Sequence, residues 1–547
     1  MMILKEYAVE LAATVALIIF CLRRRTPFYY LWVNIGNQSK HRMVIKMIDS
    51  IFIGIDLGTT ALKAVAVSEN GRIVAAVNEE LDVRVTPDGW RDQSPQAVAG
   101  ALRDVLHNLR ESVGQDAWES VRGIGLAAQG GSAVICDRQT GEPLTTMYLW
   151  NDSRHAADVV AVNQMKPPSY WETLAMRQSC GAGLGRLRFL KREFPNLIHS
   201  KTIYAGAGDF VFFRLTGVWR QDAGNALQIG CYDARAQRII RDPLELVGVD
   251  ETFVSPMRDG HAIIPLSTDA AERYLLPAGL PVVGPYMDHE AGYIAVANAT
   301  ANGQRLESPL QCSLGTAWVG NFVMPATVQW SSPMQLVVPS PINDGRLVVQ
   351  PLLTGNVSWD WALSRFVSEA KADALRTAAD IFSEKLLPPR GLVCLPWLTM
   401  SNPYQTGVRG GGSMIGLSPE TTAADMLRAL AAGMCFEFYR VFESVGSSGL
   451  IDGVILGGGA SKGGFFRQLL AALFDPVKTY SASASDLAGA CGAVSALNPE
   501  AGKPELTIIE PTAGLTEAVR ERYAEYLTVF DAVCGRNPKG NPIRILL

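Results

Sequence analysis

A chain of 547 residues, 48% of them hydrophobic, can bury large cores, and its length predicts two to four domains. Its 49 basic and 53 acidic residues are interspersed and leave a net charge of −4, which argues against a nucleic-acid surface and leaves a small-molecule enzyme as the default. Nine cysteines without Cys-x-x-Cys spacing indicate neither a zinc site nor a disulfide framework and fit a reducing compartment, the cytoplasm.

Residues 1–48 do not belong with the rest of the chain. The uncharged run Leu11 to Leu22 is twelve residues long and is followed by Arg23, Arg24 and Arg25. A spanning helix needs ~20 apolar residues, and a small-residue cleavage site is missing. This extension is expected to lie outside the fold, with Met43 or Met47 as the natural beginning; a membrane anchor is the alternative.

Ile51–Val67 reads as two strands joined by a tight polar corner, Gly58-Thr59-Thr60. Asp56 ends the first strand, where a carboxylate is costly unless a cation compensates it. A hydrated Mg²⁺ suits that place, being held through one or two carboxylates plus substrate phosphates. Gly58 admits a ligand close to the backbone, Thr59 and Thr60 offer amides and hydroxyls to phosphate oxygens, and Lys63 adds a positive charge. The other reading of this stretch is a hairpin whose Asp caps the turn.

Ser68 to Gly71 is a turn into a third strand, Arg72–Val77, and Trp90 to Pro95 leads into an amphipathic helix, Gln96–Val113. Val121–Ala128 is a strand ending in Gln129-Gly130-Gly131-Ser132, at the end where ligands collect in such sheets. A helix followed by a loop is expected over Asp209–Asp222. Pro281 to Gly292 reads as a strand, an acidic cluster and a small-residue helix; on composition alone Asp288 there is a helix N-cap.

Leu310 to Val323 repeats the opening pattern: an apolar run, Leu314-Gly315-Thr316, another apolar run. Two such corners, each opening one half of the chain, point to a duplicated fold closing on one nucleotide. Later come a long helix at Ala423–Ser444 and a strand, glycine turn and helix (Val454–Leu456, Gly457 to Gly464, Phe465–Phe474). A small-residue helix at Asp486–Val494 and a last helix at Leu515–Val533 complete the chain, the last with Tyr523 and Tyr526 on its apolar side.

From about Ser50 to about Phe530, these stretches resemble the FGGY carbohydrate kinases of the sugar kinase, Hsp70 and actin superfamily, the xylulose kinases in particular. The resemblance implies an α/β, two-domain actin-like ATPase (ribonuclease H-like) fold with a duplicated core and an interdomain cleft. Residues 49–300 would bind the sugar and carry the catalytic Asp, and residues 301–547 would bind ATP. Mg·ATP and a small polyhydroxylated substrate are the implied ligands, with no nucleic acid or membrane as partner; the oligomeric state, a homodimer included, is left open.

By the same resemblance Asp288 is the catalytic base, accepting the proton of a substrate hydroxyl as it attacks the γ-phosphorus, and it shares the metal with Asp56. His289 lines the same pocket. Trp90 borders the sugar, or else packs under the following helix. Gln129, Gly130 and Gly131 form the substrate corner, where xylulose kinases have Met-His and glycerol kinases Arg-Glu after the Gln. The paired glycines count against both pockets and either leave room for a bulkier substrate or form a plain tight turn. Asp152 and Arg154 make a salt bridge in the pocket wall. Gly315, Thr316 and Gly355 face the phosphates, and Gly458, Gly459, Ala460 and Gly463 the adenosine. The loop Ser401–Gly412 lacks the family's wording. The rival reading is an ATP-binding regulatory or inactive kinase-like protein on the same fold.

Overall fold

The computed structural model describes residues 50–297, 299–301, 303–330, 334–352, 354–368, 370–398, 412–534 and 544–545. The N-terminal extension and all but Gly412 of the loop 401–412 lie outside the described residues.

The first half is built on β1 (Ile51–Leu57), β2 (Ala61–Ser68), β3 (Ile73–Glu80), β4 (Val121–Ala128) and β5 (Pro281–Met287). β1 sits centrally, antiparallel to β2 and parallel to β4; β2 pairs antiparallel with β3, and β4 runs parallel to β5. A short strand at Ile264–Pro265 completes six. β1 and β4 are covered on both faces and accordingly read as near-continuous apolar runs. β3, at the edge, alternates half-buried and exposed positions.

Helix α1 (Pro95–Val113) packs on this sheet through Val98, Leu102, Val105, Leu106 and Leu109. Its N-terminus is fixed by the Ser94 hydroxyl, which accepts from the Ala97 amide at 3.2 Å, with Pro95 at the first helical position. The stretch 209–222 is the expected helix followed by a loop. Helix α2 (Ala207–Thr216) is followed, immediately after Asp222, by α3 (Ala223–Ile229), with Asp222 capping it through the Asn225 amide. Helix α4 (Asp288–Val296) leaves the end of β5.

The second half repeats the plan with β6 (Pro309–Leu314), β7 (Trp318–Met324), β8 (Arg346–Leu352), β9 (Gly453–Gly457) and β10 (Thr479–Ala482). β6 is antiparallel to β7 and parallel to β9, β7 is antiparallel to β8, and β9 is parallel to β10. Strand order and direction thus match the first sheet pair for pair, which is the duplication the two corners predicted. Strands at Leu336–Pro339 and Leu506–Ile509 extend this sheet to seven. Around it stand α5 (Asn356–Phe366), α6 (Ala423–Ser447), α7 (Gly464–Phe474) and α9 (Leu515–Cys534), while α8 (Ala488–Val494), which precedes α9 in the chain, packs elsewhere. Tyr523 and Tyr526 are buried as expected, and Tyr526 donates to Glu437 at 2.6 Å within a buried Glu437–Arg440 pair.

One helix crosses between the halves. α8 comes after the second sheet in sequence but lies on β1 and β4 of the first, and it also packs along α4. The approach is backbone to backbone: a Cβ on Gly54 would overlap the Ala490 carbonyl, one on Gly125 the Ala493 carbonyl, and one on Gly492 the Ala291 carbonyl. The small residues of 488–494 are required for this contact. The seven described cysteines are buried and unpaired, and no described helix is long and apolar enough to cross a membrane.

Gly492→Val forces α8 away from α4 at a point where the obstacle is backbone, which has no rotamer to yield. Its expected cost is about 3 kcal/mol or more, read as a lowered denaturation midpoint. Gly100→Ala, at a half-buried position of α1 where a Cβ meets nothing within 4 Å, is the control and is expected to lose no stability.

Candidate active site

The Gly58-Thr59-Thr60 corner is braced from behind. The Gly58 amide donates to Ala61 O at 2.9 Å, closing the turn. The Thr59 hydroxyl donates to Gln129 Oε1 (2.9 Å) and accepts from Trp150 Nε1 (3.2 Å), while Gln93 Nε2 donates to Thr59 O (2.5 Å). Gln129, only 4% exposed, also receives Ser132 Oγ at 3.1 Å. Gln129 is therefore buried as a brace behind the Gly58-Thr59-Thr60 corner. Thr59 offers its backbone rather than its occupied hydroxyl, and Thr60 is the exposed threonine of the turn.

At the end of β1, Asp56 faces the crossing helix: a Cβ on Gly489 would meet its carboxylate at 2.5 Å. Asp56 Oδ1 is buried with no hydrogen-bond partner. Burial, with the nearby Asp288 charge adding to it, pushes the Asp56 carboxyl from its ordinary 3.8 up to about 6; Lys63 opposes this as a lesser influence. The Lys63 ammonium donates to Asp486 O at 2.7 Å, so it ties the first hairpin to the segment that leads into α8. A carboxylate with an orphan oxygen beside a second carboxylate is a fitting donor for a divalent cation. Among the described residues, no group of three or more His, Cys, Asp or Glu forms a closed metal cage.

Asp288 is the first residue of α4, with Met287 in the capping position, so the N-cap reading does not describe it. Its carboxylate accepts the His289 amide at 3.0 Å. Behind it, Asp222 fixes the end of β5 by accepting the Met287 amide at 2.5 Å. Glu290 is held well above the ordinary carboxylate range by burial and by Asp222, to which it is hydrogen-bonded. Asp209, buried nearby, is raised to about 7 by burial, partly offset by the Gly206 amide that it accepts at 2.7 Å. His289 turns toward the second sheet: its Nδ1 lies 3.4 Å from Asn321 Nδ2, which donates to Gln311. It belongs to the junction between the halves more than to a substrate pocket.

The second corner assembles residues from three places. Asn356 donates its amide to Gly315 O at 3.0 Å and its side chain to Leu314 O at 3.3 Å. Gly355 lies against Thr316 and Ala317, where a Cβ would overlap their backbone. Gly458, at φ +84°, lies flush on Leu314, and a Cβ on Gly459 would be 3.3 Å from the Asn356 side chain. Gly315, Thr316, Gly355, Gly458 and Gly459 are thus one cluster, with Thr316 and Gly459 exposed at its surface. Ala460 is buried in the core below, and Gly463 caps α7.

On the opposite wall the Asp152–Arg154 salt bridge forms at 2.6 Å, and Arg154 also holds Asp92 at 2.6 Å. Trp90, 42% exposed, lies over the Arg154 guanidinium at 5.1 Å. Two residues of this wall are not among the site residues expected from the sequence. Trp150 stands beside Gly131 and bonds to Thr59. Gln228, on α3, places its amide against Gly130 and Gly131. Trp150 is eclipsed in the sequence by its charged neighbours Asp152 and Arg154, and Gln228 reaches the corner only through the tertiary fold.

Two family models match the chain: the N-terminal domain of the FGGY family of carbohydrate kinases over residues 51–295, and its C-terminal domain over residues 338–497. The xylulose kinase of Escherichia coli is 24% identical over 482 residues, covering 87% of this chain and 96% of the relative. That of Staphylococcus epidermidis is 24% identical over 434 residues, covering 78% and 84%. Among solved structures, the gluconate kinase of Lactobacillus acidophilus superposes with a TM-score of 0.76 at 19% identity, covering 89% of this chain and 99% of the other. At that identity the superposition speaks for the fold.

Two outcomes are expected from the charges. Arg154→Ala removes one guanidinium from two buried carboxylates, leaving Asp92 with Arg84 and Asp152 with the Arg91 amide, and should lower stability at pH 7 by about 3 kcal/mol. Burial pushes Asp92 up, but its bonds to Arg84 and Arg154 outweigh that and hold it low, so the loss in the variant shrinks as pH falls through the carboxylate range. Asp56 behaves oppositely. With its folded value raised, it binds its proton more tightly folded than unfolded, and that stabilisation is lost as pH rises from 3.8 to about 6. Asp56→Asn should therefore stabilise the ligand-free protein at pH 8, on the order of 2 kcal/mol, with little effect at pH 4. Unfolding curves at both pH values check this.

Proposed function

Because the chain belongs to the FGGY family of carbohydrate kinases, and so phosphorylates a small sugar or polyol from ATP, we propose that Asp288 is the base of that transfer. One observation carries this: Asp288, at the head of α4, lies close enough to Asp56, whose Oδ1 is buried without a hydrogen-bond partner, for its charge to raise that carboxyl. Asp288 would take the proton from the acceptor hydroxyl as that oxygen bonds to the γ-phosphorus and the bond to the ADP oxygen breaks. Asp222 would set its position through the Met287 amide.

Asp56, with Asp288 beside it, would hold a Mg²⁺ ion, which when bound neutralises phosphate charge. The backbone of Gly58, Thr59 and Thr60 would face the phosphates from one side, and Gly315, Thr316 and Gly355 from the other. Gly458 and Gly459, with Ala460 and Gly463 behind them, would let the nucleoside lie against backbone. In this reading residues 49–300 bind the acceptor and 301–547 the nucleotide. The relatives are named for xylulose and gluconate, both of which can be drawn as linear carbon chains with a terminal hydroxyl, and the acceptor proposed here is of that class.

The test is ADP release by the full chain against pentuloses, hexuloses, polyols and aldonates, beside Asp288→Asn. One class should turn over, and the variant should lose about 10³-fold in kcat while still binding nucleotide in a calorimetric titration. Undiminished turnover in the variant would remove Asp288 from the role.

A further inference from the structure

The paired glycines at the end of β4 leave a gap where the family carries side chains, and the structure shows what fills it. Gly130 does not have the positive φ that would demand glycine, whereas Gly131, at φ +77°, does. What excludes a side chain at Gly130 is occupancy: a Cβ there would overlap Gln228 Nε2 and come within 3.1 Å of Met287 Cγ. A Cβ on Gly131 would overlap Gln228 Oε1. The Gln228 amide thus occupies the space over both residues, delivered by α3.

The occupant is polar and under-used. Among the described residues its nitrogen has one partner, the Met287 thioether at 3.4 Å, and its oxygen has none. A carboxamide half-buried beside a weak acceptor has hydrogen-bonding capacity to give away. Its setting is rigid. Arg186, 1% exposed, donates to Gly131 O and to Leu149 O, both at 2.7 Å, and so fixes the corner on one side and the approach to Trp150 on the other. Met287, which the amide touches, directly precedes Asp288.

We infer that Gln228 is the specificity-determining residue of the acceptor pocket, an uncharged amide from α3 reading a hydroxyl or carbonyl of the acceptor where relatives use side chains from the β4 corner. The inference rests on the kinase reading of the site. An amide supplies one donor group and one acceptor group and no charge, so this end of the substrate is neutral: a ketose or polyol carbon, not a carboxylate. Trp150, beside Gly131, gives the wall against which its carbon chain lies.

The experiment compares wild type with Gln228→Met, which keeps the packing and removes the amide, and with Gly130→Ala, whose Cβ would displace it. Gln228→Met should lower kcat/KM for the preferred acceptor about 10–100-fold and flatten the preference among pentulose, polyol and aldonate. KM for ATP and the slow hydrolysis of ATP by water should not move. Gly130→Ala should reproduce that loss, and Gly130→Ala with Gln228→Ala should be no worse than Gln228→Ala alone, since the two changes disturb one contact. An active wild type with Gln228→Met within twofold on every acceptor overturns the inference and leaves the kinase reading standing. Preference for an aldonate over the matching polyol also overturns it. A wild type silent on the whole panel overturns the kinase reading, and this inference falls with it.

Discussion

The contact on which the rest depends is the seating of α8 on the first sheet. A helix packed through ordinary side chains stands 8–10 Å from its neighbour, and Gly54, Gly125 and Gly492 close that distance until carbonyls touch the places where Cβ atoms would be. This puts Gly489 against Asp56 and brings α4, with Asp288 at its head, alongside the same helix. The two carboxylates are thus set by one piece of glycine geometry. Nothing in the hairpins themselves would place Asp56 near Asp288, because β1 and β5 are separated by β4.

That arrangement has an electrostatic consequence. Burial on a poorly hydrated floor, with the Asp288 charge adding to it, raises the proton affinity of Asp56. Asp209 and Glu290, behind Asp288, are raised by the same cause, burial. The protein therefore carries unfavourable charge at neutral pH that a bound cation would relieve. On the proposed role of Asp56, stability and site function pull apart there, as they do wherever a buried group is kept for chemistry rather than packing.

Much of this was legible in the sequence, and the reason is local chemistry. The strands β1, β2, β4 and β5 are buried apolar runs ended by turn residues, and the duplicated Leu-Gly-Thr corner announced the repeated sheet. The Asp152–Arg154 pair was legible because its partners are two residues apart. What could not be read was set by distant segments. Gln129 is equally able to face a substrate or a neighbouring loop, and only the fold shows it bracing Thr59. His289 comes directly after a candidate base and yet faces Asn321, 32 residues away and in the other sheet. The helix α3, which begins just past the loop expected up to Asp222, has too few residues to show a periodicity.

The glycine pair at 130 and 131 shows how the two kinds of information combine. In sequence, two adjacent glycines after a strand mean either an open pocket or a tight turn. The structure separates them: Gly131 serves the turn, by its φ, and Gly130 serves the pocket, by the atoms that crowd it. The volume was not vacated but reassigned, from the β4 corner to α3. A side chain that enters from a different element approaches the substrate from a different direction and with different donors, so identity at the corner itself is a poor guide to the acceptor. On the proposed roles the two sites still touch: Asp222, which caps α3, holds the Met287 amide next to Asp288, so a change in α3 that spares its cap can rebuild the acceptor wall without moving the base.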